Sequence, residues 1–201
     1  ILPGAAEVGA AMSSHPLIDK VSFTGSNIVG EKVMRQAATG VKDISLELGG
    51  KSAIVVRADA DIDYACNLII GGIFTNAGQI CSATSRLLVH QDIAQSLFDA
   101  LKAKTESLKI GDGFAVDTQM GPLVSAQQLA QVEKYIDIAV GENLICLTGG
   151  EILGRQGYFA TPTIYTNVPV SSQLWTEEVF GPVLVSTTFA DDTQAIELAN
   201  D

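Results

Sequence analysis

Residues 43–56, DISLELGGKSAIVV, decide the fold of this chain. The alternation at 43–46 predicts a short strand, and two glycines, Gly49 and Gly50, end it. The next run, 52–56, predicts a buried strand because Ala-Ile-Val-Val leaves no polar face. A strand of that kind is typical of a parallel sheet covered by helices, so we expect an α/β fold with a tight domain boundary near the two glycines.

The rest of the chain continues this alternation of strands and helices. Strands are predicted at 20–24, 86–90, 144–147, 161–165 and 183–189, and amphipathic helices at 29–37, 62–73, 93–108 and 129–136. Asp92 is predicted to cap the third of these helices, and Ser125 with Gln128 is predicted to form a capping box before the fourth. The order of elements predicts an α/β protein.

The composition excludes two classes of partner. The 201 residues include 12 basic and 23 acidic side chains, a net charge of −11, so a phosphate-binding surface would oppose the overall field and nucleic acid is not expected. The longest apolar stretch, 68–74, is far shorter than the roughly 20 residues that cross a bilayer, so no membrane span is expected.

The three cysteines predict reduced thiols in a cytoplasmic protein. Their number is odd and no CxxC pair occurs, so neither a disulfide framework nor a metal site is expected. Cys66 and Cys146 lie among apolar residues and are interpreted as small buried hydrophobes. Cys81 follows an apolar helix in a polar, glycine-containing stretch and is a candidate nucleophile.

A nucleophilic thiol needs a base and oxyanion donors. His15 lies beside a proline and His90 ends a strand, so a Cys-His pair is disfavoured. Glu47 stands at a strand end between two leucines and is expected to point into a sparsely solvated space, which suits a general base. The alternative is a structural glutamate at a strand end, paired with Lys51.

Two further stretches are typical of nucleotide sites. Gly25 and Ser26 end a strand and open a helix, where bare backbone and unpaired N–H groups suit a pyrophosphate; the alternative is a plain turn. Residues 177–182, EEVFGP, place two acids before an aromatic ring. The acids could accept hydrogen bonds from ribose hydroxyls while the ring packs against a flat heterocycle. The alternative is a solvated turn.

These stretches together resemble the aldehyde dehydrogenase superfamily. The resemblance rests on residues 45–52 (SLELGGKS), 78–81 (GQIC) and 177–182 (EEVFGP), in this order, and covers nearly the whole chain. Residues 79–87, QICSATSRL, look most like the betaine aldehyde and aminoaldehyde branch.

The resemblance implies a role for each candidate. Cys81 would attack the aldehyde to form a thiohemiacetal, and Glu47 would be the general base. The cofactor would be NAD, with NADP as an alternative. It would be bound by Gly25 and Ser26 at the pyrophosphate, by Glu178 at the nicotinamide ribose, and by Phe180, Leu48 and Gly49 around the nicotinamide.

The resemblance also implies an incomplete enzyme. Residues 1–47 would be the tail of a Rossmann-like coenzyme domain and 48–201 most of a catalytic domain. The family's oxyanion asparagine, adenine-ribose lysine and oligomerisation strand would lie outside this chain. Residues 3–9, PGAAEVG, depart from the family's Pro-Gly-x-Gly loop by one residue and by an alanine.

We therefore expect an NAD(P)-dependent aldehyde dehydrogenase that forms a homo-oligomer in its complete form. One alternative is a thiol hydrolase that uses the same Cys81 and Glu47 to cleave activated esters, without need of Gly25, Ser26, Glu178 or Phe180. The other is a non-catalytic module that keeps the fold alone.

Overall fold

The computed structural model describes residues 1–201, which divide into two compact units, Ile1–Gly49 and Gly50–Asp201. The first unit contains two helices and a two-stranded parallel sheet. Its elements are α1 (Ala6–Ser14), β1 (Lys20–Thr24), α2 (Asn27–Ala38) and β2 (Asp43–Glu47).

Alternation along β1 and β2 gives the small sheet one half-buried and one exposed face. In β2, Ile44 and Leu46 lie on the half-buried face, whereas Asp43, Ser45 and Glu47 are exposed. The Ser26 side chain caps α2 by accepting a hydrogen bond from the backbone of Val29.

The second unit is built on a five-stranded sheet in the order β3-β4-β9-β8-β5. The first four strands in that order are mutually parallel, and β5 runs antiparallel to β8 at one edge. Its elements are β3 (Ala53–Val56), α3 (Ile62–Phe74), β4 (Arg86–His90), α4 (Ala94–Glu106), α5 (Ala126–Gly141), β5 (Ile145–Thr148), β6 (Ile152–Leu153), β7 (Phe159–Ala160), β8 (Thr163–Thr166), α6 (Gln173–Thr176), β9 (Val183–Phe189) and α7 (Asp192–Asn200).

The core of this unit lies around the central strands. Leu87 and Leu88 on β4 and Leu184 and Val185 on β9 are fully buried. Helices α3 and α7 both pack against β9, and α4 packs on α3. The α/β fold predicted from the sequence is confirmed. No helix is both long and apolar enough to span a membrane.

Three local expectations are wrong, each for a structural reason. Val55 on β3 is 43% exposed because β3 is an edge strand of the sheet. Cys146 is exposed because β5 forms the opposite edge. The N-cap of α4 is Ile93 rather than Asp92, whose backbone N–H instead donates to Nδ1 of His90 in a preceding turn.

Candidate functional site

Three segments of the second unit meet at glycines. They are residues 50–51, the cysteine loop (residues 76–82) and the acidic segment (residues 177–182). A β-carbon at Gly78 would lie 2.0 Å from the carbonyl oxygen of Gly181, and one at Gly50 would lie 2.9 Å from the carbonyl oxygen of Cys81. Only residues without a side chain allow these approaches. A small cleft between the segments is lined by Gly50, Gly78, Ile80, Glu178, Phe180 and Gly181, among others.

The cysteine loop has an unusual backbone. Asn76, Ala77 and Gly78 are consecutive residues in the left-handed region, with φ of 52°, 53° and 73°. The side chains of Asn76 and Gln79 hold the loop by reciprocal hydrogen bonds to each other's carbonyl oxygens, at 3.1 and 3.0 Å. Left-handed residues outside glycine are uncommon and cluster at functional sites.

Cys81 lies at the end of this loop and is exposed. Exposure is the condition that a nucleophilic thiol must meet, and it agrees with the polar, glycine-containing sequence around Cys81. Cys66 is fully buried on α3, as predicted, and burial raises the pKa of its thiol. Cys146 is exposed, but partial desolvation of its thiol also raises the pKa.

The acidic segment presents Glu178 and Phe180 at the same place. The backbone N–H of Gly50 donates to Oε1 of Glu178 at 3.3 Å, a long bond that leaves acceptor capacity on this carboxylate. Phe180 has φ of 53° and is 38% exposed. A carboxylate with free lone pairs beside an exposed ring fits a ribose and its flat base.

The acidic segment is anchored by side chains from elsewhere in the unit. Nζ of Lys51 donates to the carbonyl oxygen of Glu177 at 2.6 Å, and the hydroxyl of Tyr135 donates to Oε2 of Glu177 at 2.7 Å. Nε2 of Gln128 donates to the carbonyl oxygens of Val179 and Phe180, at 3.2 and 2.9 Å.

Gln128 explains why the predicted capping box forms only in part. Ser125 is the N-cap of α5 and accepts from the backbone of Gln128, as expected. The Gln128 side chain, however, reaches the acidic segment rather than returning to Ser125. The sequence therefore singled out Gln128, but it predicted a capping role within α5 and not a contact with the acidic segment.

Two of these anchors, Lys51 and Tyr135, have shifted pKa values. Burial, followed by the nearby guanidinium of Arg86, lowers the pKa of Lys51 to about 8, against the raising effect of the two glutamates. Burial and the hydrogen bond to Glu177 raise the pKa of Tyr135 to about 12. Tyr135 therefore stays protonated and donates its hydrogen bond throughout the neutral range.

The first unit brings the other candidate residues to the carboxyl ends of its two strands. Gly25 follows β1, and its N–H donates to the carbonyl oxygen of Glu47 at the end of β2, at 3.0 Å. Ser26 caps α2 with its side chain. Leu48 lies against Gly30 of α2, where a β-carbon would come within 2.5 Å of it, and Gly49 is half-buried.

The environment of Glu47 differs from the expectation. Its flanking leucines suggested a sparsely solvated carboxylate, but Glu47 is exposed because β2 alternates and places it on the open face of a two-stranded sheet. The suggested partner Lys51 directs its ammonium to Glu177.

The sequence model of the aldehyde dehydrogenase family matches residues 1–201, the whole chain. The chain belongs to the aldehyde dehydrogenase family. This aldehyde dehydrogenase chain is 50% identical over 198 residues to aminoaldehyde dehydrogenase 1, peroxisomal, of Pisum sativum. It is 48% identical over 198 residues to the chloroplastic betaine aldehyde dehydrogenase of Beta vulgaris. Each alignment covers 97% of this chain and 39% of the relative's length.

Solved structures of aldehyde dehydrogenases share the fold. The NAD+ complex of aldehyde dehydrogenase from Bacillus cereus matches with a TM-score of 0.97 and 42% identity, over 100% of this chain and 41% of that one. The betaine aldehyde dehydrogenase of Staphylococcus aureus in complex with NAD+ matches with a TM-score of 0.95 and 40% identity, over 98% and 40% of the two chains.

Proposed function

We propose that this chain carries the nucleophile, the general base and part of the cofactor site of an NAD-dependent aldehyde dehydrogenase. The observation that carries the proposal is the meeting of the exposed Cys81 loop with Glu178 and Phe180 at Gly50, Gly78 and Gly181. Family membership and the NAD+ bound in related structures support the same conclusion.

The proposed chemistry begins at Cys81. Its thiolate attacks the aldehyde carbonyl, and the backbone N–H of Cys81 helps to hold the resulting oxyanion of the thiohemiacetal. NAD, when bound, supplies the hydride acceptor. Glu47 removes a proton from the water that hydrolyses the Cys81 thioester and releases the acid. Its exposure on β2 leaves the carboxylate open to water.

Each unit supplies its own residues to the proposed cofactor contacts. Gly25 and Ser26 offer the N-terminus of α2 to a pyrophosphate, where backbone N–H groups and the helix dipole favour an anion. Glu178 accepts from ribose hydroxyls, and Phe180 packs near the nicotinamide. Leu48 and Gly49 are also proposed as nicotinamide contacts. NADP is the alternative cofactor.

The proposed substrates are betaine aldehyde and aminoaldehydes. Support comes from the names of relatives 46–50% identical to this chain. A homo-oligomer is proposed for the complete enzyme.

The test is the replacement of one thiol at a time in the full protein. We expect Cys81→Ala to lower the rate of betaine aldehyde oxidation with NAD by at least about 10³-fold, because the covalent step is lost. Cys146→Ala, which removes another exposed thiol on an edge strand, should leave the rate within about twofold of the wild type. Equal losses in the two variants would contradict the assignment of Cys81.

Measuring the cleavage of an activated ester beside aldehyde oxidation separates the alternatives. A thiol hydrolase would cleave an activated ester through Cys81 without oxidising the aldehyde, and its rate would not respond to NAD. A non-catalytic module would show neither reaction. Aldehyde oxidation that requires both NAD and Cys81 would exclude both alternatives.

A further inference from the structure

Adjacent carboxylates in the acidic segment differ in how they are held. Glu177 is bound at two points, through its carbonyl oxygen by Lys51 at 2.6 Å and through its carboxylate by Tyr135 at 2.7 Å. Glu178 has only the long 3.3 Å bond from Gly50. One residue of the pair is therefore anchored, and its neighbour keeps acceptor capacity for a ligand.

The anchor on the side of α5 is rigid. Tyr135 is 3% exposed, and its ring lies in the hydrophobic core of the second unit. A phenol whose ring is fixed by core packing has few alternative positions for its hydroxyl, so Glu177 is held at a fixed place.

The second anchor is held at its own backbone. Nε of the buried Arg86 donates to the carbonyl oxygen of Lys51 at 2.8 Å. The Lys51 side chain thus extends from a fixed backbone position to the acidic segment, and charged donors of this kind make stronger hydrogen bonds than neutral ones.

We propose that Tyr135 and Lys51 are positioning residues that fix Glu177 and thereby set where Glu178 presents its carboxylate to the ribose of the cofactor. This inference rests on the proposed function. Gln128 holds Val179 and Phe180, so without Tyr135 and Lys51 it is Glu177 and Glu178 that would have to be ordered when the cofactor binds, and that ordering would weaken binding.

The test compares Tyr135→Phe and Lys51→Met with matched controls in the full protein. Tyr64→Phe removes an exposed phenol on α3, and Lys32→Met removes an exposed ammonium on α2. The KM for NAD, the KM for betaine aldehyde, kcat and the thermal midpoint are measured for each variant.

We expect the KM for NAD to rise about 3- to 10-fold in each anchor variant, the loss typical of one hydrogen bond. The KM for the aldehyde should stay within about twofold, because the anchors touch the acidic segment and not the thiol. The controls should match the wild type in both constants.

Two results overturn the proposal. One is a lowered thermal midpoint in Tyr135→Phe with an unchanged KM for NAD, which would show a purely structural role. The other is an equal rise of both KM values. Tyr135→Phe removes a single oxygen and decides the question even if Lys51→Met does not fold. Failure of the wild type to bind NAD or oxidise the aldehyde would instead reject the proposed function, and the cofactor role of the anchors with it.

Discussion

Gly78 lies directly against the carbonyl oxygen of Gly181, so that a β-carbon at Gly78 would come within 2.0 Å of that oxygen. The two residues are far apart in sequence, one in the loop that precedes Cys81 and the other after Phe180. Their contact joins the proposed nucleophile to the proposed cofactor contacts through backbone alone.

This contact predicts that Gly78→Ala is strongly destabilising. The β-carbon would clash with a backbone oxygen, and the residue would still have to keep φ of 73°. We expect a loss of about 2–4 kcal/mol in the free energy of unfolding, measured by urea denaturation. The control is Gly113→Ala, because a β-carbon at Gly113 would have no atom beyond its chain neighbours within 4 Å. This variant should change the free energy of unfolding by less than about 0.5 kcal/mol.

Two arginines that contact α7 should differ in their effect on stability. Arg86 is 7% exposed and donates to the carbonyl oxygens of Leu198 and Ala199 near the end of the helix. Arg57 forms an exposed ion pair with Asp192 at the start of the same helix. We expect Arg86→Met to cost about 2–4 kcal/mol, because the carbonyl groups of two half-buried residues lose a charged donor.

The Arg57→Met variant is the matched control, and its cost should stay below about 1 kcal/mol because solvent screens the exposed pair. Chemical denaturation measures both variants. Similar losses in the two would show that the hydrogen bonds of the buried Arg86 contribute no more than a surface ion pair.

Lys51 predicts a specific dependence of stability on pH. Burial lowers its pKa from 10.5 to about 8, so between these values the unfolded chain binds more protons than the folded one. The free energy of unfolding of the wild type should therefore rise, relative to Lys51→Met, as the pH increases from about 8 to 10.5. Urea denaturation at several pH values measures this difference.

The Lys32→Met variant serves as the control for that experiment, because Lys32 is exposed on α2. Its difference from the wild type should be constant over the same pH range. A constant difference for Lys51→Met as well would contradict the burial of the Lys51 ammonium.

The three thiols should alkylate at different rates in the native protein. Cys66 is fully buried and its pKa is raised, so it should react only when the structure opens, at least about 100-fold more slowly than Cys81. Cys146 is exposed but has a raised pKa and should react at an intermediate rate. Mass spectrometry after timed alkylation measures each rate, and fast labelling of Cys66 would contradict its burial.

The sequence determined the α/β class and predicted most of the strands and helices, but not α1, α6 or the short strands β6 and β7. Strand β4 was predicted at its observed limits, and so was β9, because apolar runs bounded by turn residues leave few alternatives. The roles of Cys81 and Glu47 and the cytoplasmic location stay predictions.

Only the tertiary structure decided which residues meet. Val55 and Cys146 were predicted to be buried, but both are exposed. Their exposure follows from the edge positions of β3 and β5, which depend on strand order. Tyr135 carries no local signal at all, because its hydroxyl meets Glu177 across 42 residues of sequence. Local sequence fixes backbone propensity and the polarity of each face, whereas contacts between distant segments depend on how the whole sheet and its helices pack.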